Sequence, residues 1–269
     1  MKNIIVYTIL ACTLLLSPEA IGQRKKRGKT RAEVRQKSIE KKAQKKAFSD
    51  KSTEFTETVV PAKWKDESIV VVADKINYSF TSENTVLKFS EKRRLRIKLQ
   101  DQAAVDAYSE MYFYGDEYFM QIVKADGKVI DVSFDDAITV VELSKIPGYY
   151  KSYSAAKVLY KKLAVENLEV GDIIDYSIFS SKKIFLGQYP FVAFPALIIP
   201  VQKTHHVMYQ KVQFQVDRTN ILTTRSINGA PKLTTLPSKS RSGKIKEFEY
   251  EVTNQEKREV EHFDYYLRH

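Results

Sequence analysis

The chain has 269 residues, with 44 lysines and arginines against 33 aspartates and glutamates, and a formal net charge of +11. Residues 24–51 hold thirteen basic and three acidic residues, so this segment carries almost all of that charge and the remainder is close to neutral. The single cysteine, Cys12, lies in the apolar N-terminal run, which excludes a disulfide, a cysteine nucleophile and a thiolate metal site from the sequence after it.

The N-terminus has the pattern of an export signal. Lys2 precedes an uncharged apolar run over residues 4–16, Pro18 interrupts it, and Ala20 and Gly22 suit a cleavage site before Gln23. The run is shorter than the roughly 20 residues that a membrane-spanning helix needs. We therefore interpret residues 1–22 as a signal peptide, with an uncleaved anchor as the alternative. Export without disulfides fits a bacterial cell envelope better than a small disulfide-rich secreted domain.

Residues 23–52 are predicted to form a basic, solvated tail that is partly helical. The segment is rich in good helix formers, but its few apolar residues do not make a stripe that could dock a helix. Its single aromatic residue, Phe48, disfavours nucleic acid as the partner, since such sites interleave aromatic and basic residues. After export, an anionic membrane surface is the partner that residues 24–51 would suit.

Residues 53–269 show the alternation and the β-branched and aromatic content of strands. Only residues 101–111 have a helical pattern, and no βαβ rhythm is present. We predict a mainly β fold, an antiparallel β-sandwich with a short helix, preceded by the signal peptide and the basic tail. The strands are expected at residues 68–80, 85–99, 117–134 (a hairpin), 157–165, 172–180, 205–216, 221–236 (a second hairpin) and 246–254.

Three residue pairs are predicted to form tight turns. Asp126-Gly127 and Asn228-Gly229 are the pairs that a type I′ hairpin turn favours, because both central residues need a positive φ. Gly171-Asp172 is predicted to turn the chain just before the strand at 172–180.

Tests for catalytic and metal-binding patterns favour structural roles. His205 and His206 are neighbours on a predicted strand and so point to opposite faces, which prevents both from binding one metal. The acidic and histidine-rich run at residues 259–269 is interpreted as an edge strand or interface segment rather than a cation site. No catalytic, cofactor-binding or metal-binding residue is therefore predicted. Aromatic side chains that could stack on sugars or peptides are Trp64, Tyr149 and Tyr150.

An ordered set of short stretches resembles one family. The stretches are "PAKWKDESIVVV" (61–72), "KADGKVIDV" (124–132), "ENLEVGDIIDYSI" (166–178) and "IPVQKTHHVMYQKVQFQV" (199–216). Together they look like the domain of unknown function 3857, which occurs in exported proteins of Gram-negative bacteria and often precedes a transglutaminase-like domain. The resemblance implies export to the periplasm or cell envelope of a Gram-negative bacterium. The resemblance implies turn-forming roles for Gly127, Gly171 and Asp172, and it supplies no catalytic residue. The chain is then either a stand-alone β domain or a piece of a longer polypeptide.

These observations predict an exported, non-catalytic β-sandwich binding module of the bacterial cell envelope. Its partner would be an envelope protein, a peptide or a glycan. The alternative is the non-catalytic N-terminal part of a transglutaminase-like or peptidase system whose catalytic domain is not in this chain. No cofactor is expected in either case.

Overall fold

The computed structural model describes residues 31–141, 159–185, 197, 199, 201, 204–237 and 243–257. Residues 1–43 and 44–269 form separate compact units, so helix α1 begins in the first and ends in the second. The elements are α1 (Arg31–Ala47), α2 (Thr53–Thr56), a 3-10 turn (Ala62–Trp64), β1 (Ile69–Glu83), β2 (Val86–Leu99), α3 (Gln102–Tyr108), β3 (Glu110–Phe113), β4 (Glu117–Val123), β5 (Val129–Asp131), β6 (Ile138–Thr139), β7 (Lys161–Ala164), β8 (Ile173–Phe185), β9 (His206–Asp217), β10 (Thr234–Leu236) and β11 (Ile245–Gln255).

The strands form a large and a small sheet, which confirms the predicted mainly β, antiparallel class. The large sheet has eight strands in the order β10-β11-β9-β1-β2-β8-β4-β5, and the small sheet has the order β3-β7-β6. All pairs are antiparallel except β1 with β9, which run parallel. The helix predicted over 101–111 is α3, whose N-terminus is capped because the Asp101 carboxylate accepts the Ala104 N–H at 2.8 Å.

One face of the large sheet, here called the core face, carries two apolar clusters. The first joins Leu95 and Ile97 of β2 to α3 and β3, which cover this half of the sheet. The second contains Tyr78, Phe89 and Phe214, with stacked rings 5.2 Å to 6.1 Å apart. The apolar alternation that predicted β2 therefore identifies its core-facing side correctly. Burying side chains of this size stabilises the fold by about 1.5–3 kcal/mol each.

The opposite face, here called the charged face, carries Lys75 of β1, Arg94 of β2 and Asp175 of β8. The segment at residues 47–57 packs against it. Ala47 and Phe48 are buried at 8% and 6% exposure, and Phe55 of α2 packs with Ala73 and Tyr209. The expected tail was solvated through residue 52, whereas the structure buries its last apolar residues on the sheet. The predicted limits of the signal peptide and tail stay predictions.

The predicted turns are present, but two details of the hairpin predictions are wrong. At Asp126-Gly127 only Gly127 has a positive φ, +86°, and Lys124 pairs with Lys128 across a three-residue loop, so the turn is not type I′. Asp126 instead accepts the Lys128 N–H at 2.9 Å. Asn228 and Gly229 both have positive φ, as predicted. However, residues 221–227 form no strand, and the ladder begins only at β10, after Pro231, which lacks a donor N–H.

Gly171 and Asp172 form a turn in which the Asp172 N–H donates to the Glu169 carbonyl at 3.1 Å and Gly171 has φ +95°. Asp172 is more than a turn former, because its buried carboxylate accepts the Glu169 N–H at 2.8 Å and pairs with Lys124 at 2.7 Å. The pair connects this turn to the end of β4.

Within the described residues, none of the helices combines the length and the apolar character that a membrane crossing requires.

Gly115 allows a close approach between the β3–β4 connection and β8. Its φ is +119°, and an added Cβ would lie 2.6 Å from the Phe179 carbonyl oxygen. We expect Gly115→Ala to lower the free energy of unfolding by about 3 kcal/mol, because strain and a backbone clash add. Gly127→Ala is the matched control. Its φ is also positive, but the added Cβ meets nothing within 4 Å, so we expect about 1 kcal/mol. Equal losses in urea unfolding would contradict the close approach.

Candidate functional site

Strand β2 presents four basic side chains in a row on the charged face, here called the β2 cation row: Lys92, Arg94, Arg96 and Lys98. They alternate with the core-facing residues of the same strand, so neighbouring members are about 6.6 Å apart along it. Strand β2 lies in the middle of the large sheet, between β1 and β8. Like charges this close destabilise a sheet unless other groups compensate them.

Arg94 has the most complete compensation. Its Nε donates to Asp175 Oδ1 at 3.0 Å and its Nη2 donates to Oδ2 at 2.8 Å, a two-point ion pair between side chains that are 6% and 1% exposed. Gln121 of β4 donates to the same Asp175 Oδ2 at 3.0 Å. A single carboxylate on β8 therefore connects β2, β8 and β4 across the charged face.

The segment at residues 47–57 covers the remaining surface of Arg94. The guanidinium carbon lies 5.3 Å from the centre of the Phe48 ring and 4.4 Å from that of Phe55. The Arg94 Nη1 donates to the Asp50 carbonyl at 2.8 Å. Cation–π contacts of this kind are worth about 2 kcal/mol or more when they are desolvated. Arg94 thus holds the segment on the sheet through two rings and one backbone carbonyl.

Asp50 adds a charged contact beside Arg94. Its Oδ2 lies 2.8 Å from the Lys75 Nζ, and its Oδ1 accepts the Ser52 N–H at 3.1 Å. Burial alone would raise the pKa of Asp50, but the hydrogen bonds from Lys75 and Ser52 outweigh it and lower the pKa to about 2. The carboxylate is therefore ionised at neutral pH and neutralises Lys75.

The other members of the row are less well compensated. The Arg96 side chain is 4% exposed, its Nε lies 4.0 Å from Asp175 Oδ2, and that nitrogen makes no hydrogen bond in the described structure. Burial lowers the pKa of Arg96. Lys98 donates to the Gly171 carbonyl at 2.5 Å. Unpaired buried polar atoms are uncommon in native proteins, so Arg96 marks this face as unusual.

Lys92 is the half-buried end of the row. It pairs in register with Asn77 of β1 and with Phe179 of β8. No carboxylate of the described residues lies within ion-pair distance of its ammonium group. Burial lowers the pKa of Lys92, and the positive charges of Lys46, Lys75 and Arg94 lower it further. The site therefore has a surplus of positive charge around Lys92.

The core face carries its own ion pair between the two apolar clusters, and the Asp74 carboxylate of this pair is buried. Arg93 of β2 donates to both carboxylate oxygens of Asp74 on β1, at 2.8 Å and 3.2 Å. Gln210 donates to Asp74 at 3.4 Å, and Tyr250 donates to Gln210 at 3.5 Å. These side chains satisfy one another and cross β2, β1, β9 and β11, which is a structural arrangement.

Trp64, a predicted ligand contact, lies inside the protein at 2% exposure. Its ring stacks on His206 with centroids 4.8 Å apart, and its Nε1 donates to Glu256 Oε2 at 3.0 Å. Glu67 and Glu256 lie beside the two imidazole nitrogens of His206, at 3.2 Å and 2.9 Å. The contacts that the structure gives Trp64 are therefore internal, and a ligand contact there stays a prediction. His206 lies at the centre of this network, a structural role of the kind that the sequence favoured for it, although the network itself was not predicted.

Hydrogen bonds from two lysines lower the pKa values of both carboxylates in this network. A hydrogen bond from Lys257 lowers the pKa of Glu67, and one from Lys63 lowers the pKa of Glu256. The network joins the 3-10 turn, the start of β9 and the end of β11.

Tyr149 and Tyr150, the other predicted ligand contacts, lie outside the described residues, as does the run at 259–269. Among the residues that the structure describes, no three histidine, aspartate, glutamate or cysteine side chains converge as a metal site would require.

The β2 cation row was missed in the sequence, although its signal was present. The alternation that placed Leu95 and Ile97 on one side also placed Arg94 and Arg96 on the other. A solvated sheet face tolerates such residues, so nothing in β2 alone indicated burial. The partner Asp175 lies about 80 residues later on another strand.

Asp50 provides a test of how the segment at 47–57 is held. We expect Asp50→Asn to lower the free energy of unfolding by about 1 kcal/mol at pH 7, a figure reduced for solvent screening. Because the folded-state pKa is about 2, below the ordinary 3.8, the stabilisation is present above about pH 4 and disappears as the pH falls towards 2.

Urea unfolding of both proteins across this pH range measures the effect. Asp66→Asn, at an exposed position with no ion pair in the described structure, is the matched control and should change stability little at any pH. A difference between wild type and Asp50→Asn that persisted unchanged at pH 2 would rule out the ion pair as its cause.

Comparison with known proteins places the chain in a family. Its sequence matches the profile of the "Domain of Unknown Function with solved-structure structure", DUF3857, over residues 86–259. No curated protein matches the chain significantly.

Solved structures give partial likenesses. A Parabacteroides distasonis protein described as a protease candidate is 19% identical, with a TM-score of 0.49 over 73% of this chain and 37% of its own. Yeast LTA4 hydrolase in complex with bestatin is 9% identical, with a TM-score of 0.30 over 70% of this chain and 27% of its own. Legionella pneumophila aminopeptidase A in complex with aspartic acid is 10% identical, with a TM-score of 0.31 over 70% of this chain and 20% of its own. This chain thus spans well under half the length of each. The family match covers more than half of the chain, which therefore belongs to the domain of unknown function 3857 family.

Proposed function

We propose that the chain is an exported, non-catalytic binding module of the bacterial cell envelope, and that the charged face of its large sheet contacts an anionic partner. The observation that carries the proposal is the β2 cation row, in which Arg96 and Lys92 lack an ion pair of normal length among the described residues. Holding such charges out of water costs several kcal/mol unless a counter-charge is supplied.

The acidic groups of the charged face are engaged in structural bonds. Asp175 accepts three hydrogen bonds from Arg94 and Gln121, and Asp50 is paired with Lys75. A general acid or base must be free to exchange a proton with a substrate, whereas both of these carboxylates accept hydrogen bonds from side chains of the protein. The arrangement supports binding better than catalysis at this face.

The apolar run at residues 4–16 and the small residues before Gln23 support export. An exported protein meets anionic lipids, acidic proteins and anionic glycans in the envelope. A cationic sheet face attracts any of them over about one Debye length, roughly 8–10 Å at ordinary ionic strength. The contact is therefore expected to weaken as salt is raised.

The test is cosedimentation of purified residues 23–269 with an isolated bacterial envelope fraction at low and high salt. We expect Lys92→Gln to lower the bound fraction about threefold or more at low salt, because it removes the accessible uncompensated charge. Lys128→Gln, which makes the same charge change in the exposed β4–β5 turn, should bind like wild type.

Equal binding by the two variants and wild type would refute the proposed contact face. Hydrolysis or transfer activity of the purified chain on envelope polymers would contradict the non-catalytic role.

A further inference from the structure

We infer that Lys46, Lys75 and Lys92 form a binding site for a phosphate group, at the junction between the end of helix α1 and the charged face. The inference rests on the proposed function and specifies the chemistry of the anion. It depends on the placement, accessibility and charge balance of these three ammonium groups.

Two of the lysines are neighbours on adjacent strands. Lys75 of β1 lies opposite Arg94 of β2, and Lys92 is two residues before Arg94. Lys75, Lys92 and Arg94 therefore share the charged face. Lys75 and Lys92 are thus diagonal cross-strand neighbours, with Cα atoms about 7–8 Å apart. Two flexible ammonium groups at this spacing can both reach one bound phosphate.

The segment after helix α1 brings the third lysine to the same place. Phe48 covers Arg94 and Asp50 binds Lys75, which fixes the chain only two to four residues beyond Lys46. The Lys46 carbonyl accepts the Ser49 hydroxyl at 2.8 Å, which closes the turn that ends the helix just before Asp50. Lys46 is close enough to Lys92 for its charge to lower the pKa of that lysine.

The charges at this junction do not balance. Among the described residues, three lysines, Lys46, Lys75 and Lys92, face one carboxylate, Asp50, because Asp175 is bound by Arg94 and lies 4.0 Å from Arg96. The surplus of two positive charges matches the charge of a phosphate monoester at neutral pH, about −1.5 to −2.

The geometry favours a phosphate over a carboxylate. Arg94, whose planar fork would suit a carboxylate, is already taken by Asp175 and is buried. The accessible groups are lysines, compact charges with three donors each, and they come from separate segments as a tetrahedral anion requires. Lys46 is exposed, and the Lys75 side chain is 29% exposed; Asp50 accepts one of the three N–H donors of the Lys75 ammonium group. Asn77, which pairs with Lys92, adds a neutral amide donor at the same level of the sheet.

The test uses residues 23–269 with two probes, inorganic phosphate and vesicles that contain phosphatidic acid, with phosphatidylcholine vesicles as the lipid blank. Wild type should bind at least one phosphate probe, and Lys92→Gln should weaken that binding roughly five- to tenfold. Lys92→Arg should recover most of it, whereas Lys128→Gln should leave it unchanged. Melting curves establish that each variant is folded.

NMR of methyl-labelled lysines gives a second readout, because a bound phosphate should raise the pKa of Lys92. If free phosphate binds and displaces the protein from the vesicles, the ligand is a soluble phosphate. If only the vesicles bind, the ligand is a lipid headgroup. Both outcomes support the site. If wild type binds neither probe while Lys92→Gln still loses envelope binding, the phosphate site is refuted and the proposed function survives. If Lys92→Gln changes neither kind of binding, both are refuted.

Discussion

Two adjacent arginines of β2 fix the large sheet on which the rest of the structure depends. Arg93 points to the core face and binds Asp74 of β1, while Arg94 points to the charged face and binds Asp175 of β8. Because side chains alternate along a strand, a slip of one residue would move each arginine to the wrong face and leave a buried aspartate unpaired. The two ion pairs therefore specify the register of β2 against both of its neighbours.

The same arginine explains why a segment that looks like a tail belongs to the fold. Phe48, Phe55 and the Asp50 carbonyl cover the part of Arg94 that Asp175 leaves open. Covering a charge with aromatic rings keeps a favourable contact where water has been removed. One consequence is that basic residues at the end of helix α1 are held next to basic residues of the sheet. The surplus of positive charge near Lys92 is thus a consequence of how Arg94 is satisfied.

Much of the fold could be predicted from local patterns, since alternation in β1, β2, β9 and β11 is strong and α3 has a capping aspartate. The turn at residues 221–236 shows the limit of such patterns. Asn228-Gly229 forms its turn, but a strand also needs a partner along its length, and residues 221–227 have none in the described structure.

The candidate site could not be predicted, because the burial of Arg94 and Arg96 depends on contacts with residues 47–57 and with Asp175, which are distant in sequence. A charged position on a strand is usually solvated, and only tertiary contacts distinguish the exception.

Arg94 and Asp175 form one buried unit that organises the charged face, and a double-mutant cycle measures the coupling between them directly. Urea unfolding would be followed for Arg94→Met, Asp175→Leu and the double variant. Each single change leaves one buried charge unpaired and should cost about 3–5 kcal/mol, whereas the double change should cost clearly less than the sum of the two. Losses that simply add would show that the two side chains are energetically independent and would contradict their action as one unit.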